Sequence, residues 1–276
     1  MTAMSPIRGA ILHLPTSQES RYSQSLERGL ALLRSFTPEQ PWMGIAELAD
    51  VLEMSRPTTH RYATTLVVLG YLEQGPRRKY RLGARAGDPG RSAIDSMGLQ
   101  ERVWPCLSDL RLNTSCTASL AVLDDKDIVY VDRARSSWQG HSEIGARLGR
   151  GSRLPASETA MGRTLLAHSS PERQLELIDS FADGSDPTEA RNARDALLEE
   201  LERIRRNGFA VADQAHVSGQ RCVAAPVVVA GADEAIAAVD VAAPKSVITR
   251  AQLLERLAPL VVESAAEIAE RLSATT

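Results

Sequence analysis

With 276 residues, 43% hydrophobic and 24% charged, the chain is long enough for one large or two modest domains and can bury a core, which excludes disorder along its whole length. Its formal charge of -3 is uneven: residues 1–85 carry 11 Lys+Arg against 7 Asp+Glu, and the rest carry 21 against 28, so a polyanion partner is expected for the basic N-terminal part alone. Cys106, Cys116 and Cys222 stand far apart without a CxxC pair, and no run nears the roughly 18 apolar residues of a membrane helix, so a disulfide framework, a structural zinc site and a membrane span are excluded and a cytoplasmic location is expected.

In chain order, residues 1–20 are expected to form a flexible tail. "SLERGLALLRSF" then sets Leu26, Leu30 and Leu33, with Leu32 and Phe36, at helical spacing, and Ser25 is a candidate N-cap. "TPEQPWMG" breaks that helix with two prolines and a glycine. A second helix is expected from Ile45 to about Leu52 and a third from Arg56 or Pro57 to Leu69, with Ser55 ahead of Pro57 as the start signal. After Gly70 the pattern turns to "YLEQ", "GPRR" and "KYRL", strand, turn and strand. Two helices joined by a tight turn and followed by a hairpin are the layout of a winged helix-turn-helix, placed at residues 21–84. "ARAGDPGRSAIDSMG" buries little and is expected to be a linker, leading into a helix from about Leu99 to Leu112, so that linker and linker helix occupy residues 85–112.

Residues 113–276 form the second expected domain. "CTASLAVL", "DDKD" and "IVYVDRA" predict a hairpin. "SETAMGRTLLAH", capped by Ser157, and "TEARNARDALLEELERIRRNG", stopped at Gly208, predict helices. Three strands follow in "FAVAD", "RCVAAPVVV" and "AIAAVDVAA", the last two joined as a hairpin, and a helix from Thr249 to Leu272 closes the chain. Strands at both ends with helices between them predict an α+β class with an antiparallel sheet.

The third helix would present Arg56, Thr58, Thr59, Arg61 and Tyr62 in its first turns, just after Ser55, and lean Ala63, Leu66, Val67 and Leu69 towards the core. Arginine pairs with guanine edges, threonine touches thymine methyls or phosphates, and a helix N-terminus offers N–H donors to phosphate. Arg77, Arg78 and Lys79 would sit at the hairpin tip, where basic side chains follow the phosphate backbone or the minor groove. Double-stranded DNA is the partner this chemistry suits.

The spaced motifs "YSQSLERGLALLRSF", "IAELADVLEMSRPTTHRYATTLVVLGYLEQ", "KYRLG", "ASLAVLDDKDIVYVDRA", "LPASETAMGRTLLA", "GFAVADQAHVSGQRCVAAPV" and "AAVDVAAP" resemble the IclR-type transcriptional regulators over roughly residues 22 to 250. The resemblance implies a winged helix-turn-helix, a linker helix and a GAF-like domain, residues 113–276, for effector binding and oligomerisation. It implies a dimer or tetramer on an inverted-repeat operator, modulated by a small metabolite of a catabolic pathway. Carried onto this chain, the effector-binding positions are Glu143, Ala146, Ala160, Met161, Asp213, Cys222, Asp240 and Ala242. Three positions depart from the family pattern. Glu53 stands where glycine is usual in the turn, "RAGDPGRSAIDS" is less helical than usual linkers, and Asp240 replaces a neutral Ser or Asn. An inward carboxylate there would repel an acid ligand unless protonated or paired, and would favour a hydroxyl or amine donor.

Two other classes stay open at this level. An architectural or protein-docking DNA-binding module would lack an effector. An enzyme would draw on Cys116, His141, His216 and Cys222, or on Asp213 with Asp240, but no GxSxG, HExxH, phosphate loop or dinucleotide signature accompanies them. No catalytic residue, metal or cofactor is therefore expected.

Overall fold

The computed structural model describes residues 22–37, 39–96, 98–136, 148–181, 187–213 and 219–274. The expected tail at 1–20, together with Glu143, Ala146, His141 and His216, lies outside the described residues. The chain divides after Ser92 into two compact units. Among the described residues no helix is long and apolar enough to cross a membrane.

The first unit contains α1 (Gln24–Arg34), α2 (Ile45–Val51), α3 (Arg56–Val68) and an antiparallel pair, β1 (Leu72–Gln74) with β2 (Tyr80–Leu82). Its core joins Leu32, Phe36, Met43, Leu48, Ala63, Leu72 and Tyr80. The cap of α1 is Ser23, not Ser25: Ser23 Oγ accepts from the Leu26 amide at 3.3 Å, and Ser25 falls inside the first turn. Leu26 and Leu30, although at helical spacing, are 64% and 53% exposed, and Leu32 is the fully buried residue of the helix. Leu69, expected in the core, is instead exposed, because α3 has already ended at Val68.

Both helices of the pair close alike. At the end of α2 the Met54 amide donates to Ala49 O at 3.0 Å, with Glu53 in the left-handed region at φ 51°. At the end of α3 the Tyr71 amide donates to Leu66 O at 2.9 Å, with Gly70 at φ 80°. These bonds satisfy carbonyls that a helix end leaves open, and the reversal needs a left-handed residue. Glycine meets that need without strain and glutamate does not.

The linker expectation is corrected. Asp88–Ser96 is a helix, α4, despite Gly90 and Pro89. Pro89 sits in the first turn, where its missing N–H is no loss, and Asp88 suits the positive helix start. Helix α5 (Gln100–Thr114) follows, one residue later at its start than expected and two longer at its end.

The second unit is built on a six-stranded antiparallel sheet in the order β5-β4-β3-β8-β7-β6. Its strands are β3 (Thr117–Asp124), β4 (Asp127–Ala134), β5 (Arg153–Pro155), β6 (Ala210–Asp213), β7 (Gln220–Val227) and β8 (Ala237–Pro244). One face packs on α5, on the π-turn at Leu253–Leu257 and on the terminal helix α10 (Ala258–Ser273), which that turn joins to the short α9 (Arg250–Gln252). The other packs on α6 (Ala160–Ala167), α7 (Pro171–Ser180) and α8 (Pro187–Asn207). Each inner face is lined by alternate strand residues: Val223, Ala225, Val239 and Val241 face α5 and α10, while Ala224 and Ala238 face α6. The α+β class, with its winged helix-turn-helix and antiparallel-sheet domain, agrees with the sequence reading; β5 and α7 are additions to it.

Candidate functional site

Two sites emerge, one on each unit. On the first, α3 begins at Ser55, whose Oγ caps the helix by accepting from the Thr58 amide at 3.4 Å and lies 2.8 Å from the Thr58 hydroxyl. The inward stripe of α3 is Thr59 and Ala63, both fully buried, with Tyr62, Leu66 and Val67 half-buried against the same core. Thr59 is therefore a correction: its hydroxyl donates to Ser55 O at 3.1 Å inside the fold, away from any ligand. The outward stripe is Arg56, His60, Arg61, Thr64 and Thr65. His60 is the residue the sequence reading missed; its spacing of four from Arg56 was the available signal.

The wing carries Arg77 and Arg78 exposed at its tip, both left-handed with φ of 58° and 57°. Lys79 is different. It is half-buried, and its ammonium lies 3.4 Å from Glu47, whose carboxylate also accepts from the Gly44 amide at 2.5 Å. That backbone bond, with Lys79 adding to it against partial burial, holds the Glu47 carboxyl below its ordinary value. Arg81 stacks 5.0 Å from the Trp42 ring centre and donates twice to Glu73. The same Trp42 leaves no room for a side chain at position 75, where a Cβ would come within 2.5 Å of the ring. The hairpin is thus braced from beneath while Arg77 and Arg78 keep their charges outward.

On the second unit, a cavity of about 40 Å³ opens between the sheet and the start of α6. Four predicted residues line it: Ala160, Met161, Cys222 and Asp240. Sequence reasoning missed Tyr130, Thr159, Ala212 and Gln220. Thr159, not Ser157, caps α6, its Oγ1 accepting from the Gly162 amide at 3.0 Å. The helix packs so closely on the preceding turn that a Cβ on Gly162 would overlap the Ala156 backbone. That approach sets Ala160 and Met161 against the strands.

Two predicted positions fall elsewhere. Asp213 is corrected: strand alternation turns it away from the face of Ala212, and its carboxylate accepts from Arg221 Nε at 3.2 Å. Ala242 shares the sheet face of Asp240 and pairs with Cys222 across the strands, but does not line the cavity.

Asp240 dominates the electrostatics. It is 4% exposed, and its Oδ1 has no hydrogen-bond partner. Burial lifts its carboxyl to about 7, against the pull of the Arg133 charge and of hydrogen bonds from the Ser119 hydroxyl and amide. Arg133 donates from Nε to Ser119 Oγ at 3.2 Å and lies 4.9 Å from the centre of the Tyr130 ring. An Arg133–Ser119–Asp240 chain therefore runs across three strands. Burial, reinforced by the Asp240 charge, pushes both the Tyr130 phenol and the Cys222 thiol above their ordinary values. Cys116 is buried and raised likewise, so neither of these cysteines is an activated nucleophile. Among the described residues no group of three or more His, Cys, Asp or Glu is placed to hold a metal. The arrangement suits a small bound group: a narrow, mostly apolar space with one unsatisfied acceptor on a residue of its lining.

The profile described as "Bacterial transcriptional regulator IclR C-terminal" matches residues 91–270, and that described as "IclR helix-turn-helix domain" matches residues 25–76. The chain is 29% identical to the HTH-type transcriptional regulator XynR of Escherichia coli over 205 residues, 74% of this chain and 80% of that protein. It is 28% identical to the p-hydroxybenzoate hydroxylase transcriptional activator of Acinetobacter baylyi over 264 residues, 94% of this chain and 96% of that protein. A solved IclR homolog complexed with 4-hydroxybenzoate, from Microbacterium hydrocarbonoxydans, shares the fold with a TM-score of 0.71 at 22% identity, over 91% of this chain and all of that one.

Proposed function

The chain belongs to the IclR family of bacterial transcriptional regulators, and from that premise we propose that it binds an inverted-repeat operator as a dimer or tetramer and responds to a small catabolic metabolite held in the cavity beneath α6. Arg56, Arg61 and the exposed His60 would meet base edges in the major groove, with Ser55, Thr58 and Tyr62 at its margin. Arg77 and Arg78 would follow the phosphates or the minor groove. Lys79, held beside Glu47, would contribute less. The observation that carries this reading is the division of α3 into a buried stripe, Thr59 and Ala63, and an outward stripe rich in donors.

The metabolite would act by binding two arrangements of the paired recognition helices with different affinity, which is the requirement for any ligand-driven switch. The regulators and the complex described above, one of an aromatic hydroxy acid, support a metabolite effector. The test is a fluorescence anisotropy titration of the full chain against DNA flanking its own gene, with and without candidate metabolites. A salt-sensitive, sequence-specific complex that Arg61→Ala weakens at least tenfold is expected. Equal affinity for that DNA and for a scrambled duplex would refute the reading.

A further inference from the structure

Asp240 is an acceptor with nothing to accept. It sits in the middle of the sheet, between β3 and β7, its carboxylate bonded on one side by Ser119; the residue lines the cavity, and its Oδ1 is buried with no hydrogen-bond partner. Buried polar atoms are nearly always hydrogen-bonded, so an orphan on a residue that lines a cavity marks where a ligand group belongs. The cavity's other end is the start of α6, where Thr159 caps only the Gly162 amide and the amides of Ala160 and Met161 precede it. That end favours an anion or an acceptor oxygen.

We propose, building on the effector reading above, that the cavity selects a small ligand which offers a hydroxyl or amine hydrogen to Asp240 Oδ1, and that it rejects carboxylates lacking such a donor. The ligand class is a hydroxy or amino acid: its carboxylate lies at the α6 end and its donor at the sheet. With the Asp240 carboxyl ionised, a donor-free acid would set oxygen lone pairs against the Asp240 oxygen with no hydrogen between them. Charged and titratable groups around the carboxyl come from each packed element: Arg133 and Tyr130 on β4, Cys222 on β7, and Glu158 ahead of α6. Only Arg133 among them is a cation, and Ser119 stands between it and Asp240.

The test uses the full chain at pH 8, above the titration of the buried carboxyl. Thermal shift and calorimetric titration compare three matched pairs: lactate with propionate, 4-hydroxybenzoate with 4-methoxybenzoate, and 4-aminobenzoate with benzoate. In at least one pair the donor-bearing member is expected to stabilise the chain and to bind at least tenfold more tightly than its partner. Asp240→Asn, which removes a buried charge and should fold at least as well, is expected to lose that preference, and Asp240→Ser is a second variant of smaller volume. Equal binding of paired compounds, a preference unchanged in both variants, or no stabilisation by any donor-bearing member would each overturn the inference. DNA binding measured on the same preparations separates the two readings. Lost discrimination with an intact DNA complex sinks only the ligand class, whereas the expected discrimination with no specific DNA complex sinks only the operator-binding role.

Discussion

Asp240 links ligand chemistry to stability. In the folded chain its carboxyl holds a proton up to a pH of about 7, because burial outweighs Arg133 and Ser119; in the unfolded chain it releases that proton near pH 4. Between these limits the folded state binds more protons than the unfolded one, so this residue makes stability fall as pH rises. Asp240→Asn removes the dependence. The variant is expected to gain on wild type by an amount that is small at pH 4, grows through neutrality and levels off near pH 8 at a few kcal/mol, on the order of the 1.4 kcal/mol per shifted unit. Urea denaturation at pH 5, 6.5 and 8 measures it, and a stability difference flat with pH would show that the folded carboxyl titrates normally. Asp240 itself was legible from the family resemblance, but its partner Arg133 was not. Simple alternation from Tyr130 sends residue 133 to the opposite face. A register shift opposite Leu120 and Ala121 inserts Val131 as an extra residue, pairs Ser119 with Arg133, and returns the guanidinium to the cavity side.

At the scale of elements, helix existence was easier to read than helix ends. "SRPTTH" has one plausible cap, Ser55, and the structure uses it. "SQSLE" and "SETAM" each offer two hydroxyl residues, and packing chooses Ser23 and Thr159 over Ser25 and Ser157. Asp88–Ser96 escaped because Gly87, Pro89 and Gly90 carry loop propensity, which tertiary context overrides when proline falls in the first turn. The three-residue strand β5 is too short to show a period. The turn of the DNA-binding motif yields a paired prediction. Glu53→Gly is expected to stabilise the chain by up to about 1 kcal/mol, relief of left-handed strain exceeding the entropy glycine adds to the unfolded state. Gly70→Ala, at the equivalent position of α3, is expected to destabilise by about 1 kcal/mol or more, since its φ is 80° and a Cβ would lie 3.0 Å from Arg85 Cδ. Chemical denaturation of the two variants should move in opposite directions; movement in the same direction would show that the turns are not equivalent. Gly162→Ala is expected to be worse than either, a loss of about 2 kcal/mol or more, because the Ala156 backbone cannot yield as a flexible side chain can. A near-neutral result in the same assay would show that α6 is free to shift off that turn.

For the molecule as a whole, the uneven charge becomes a statement about where phosphates can dock. The chain is acidic overall, at -3, yet its first 85 residues carry 11 Lys+Arg against 7 Asp+Glu. Several of those cations are committed within the fold: Lys79 to Glu47, Arg81 to Glu73, and Arg85 to Leu69 O. Arg56, Arg61, Arg77 and Arg78 are exposed on α3 and the wing tip. Each phosphate contact contributes about 0.9 to the slope of log affinity against log salt. Replacing Arg77 and Arg78 together by alanine is therefore expected to lower that slope by about 2 for every protomer bound, equally on operator and unrelated duplexes. Replacing Arg61 should instead narrow the gap between operator and unrelated DNA, because a base contact carries discrimination worth about 1–3 kcal/mol. Anisotropy titrations over a range of KCl concentrations separate these outcomes. An unaltered slope in the double variant would take the wing off the backbone and leave α3 as the basic surface that meets DNA.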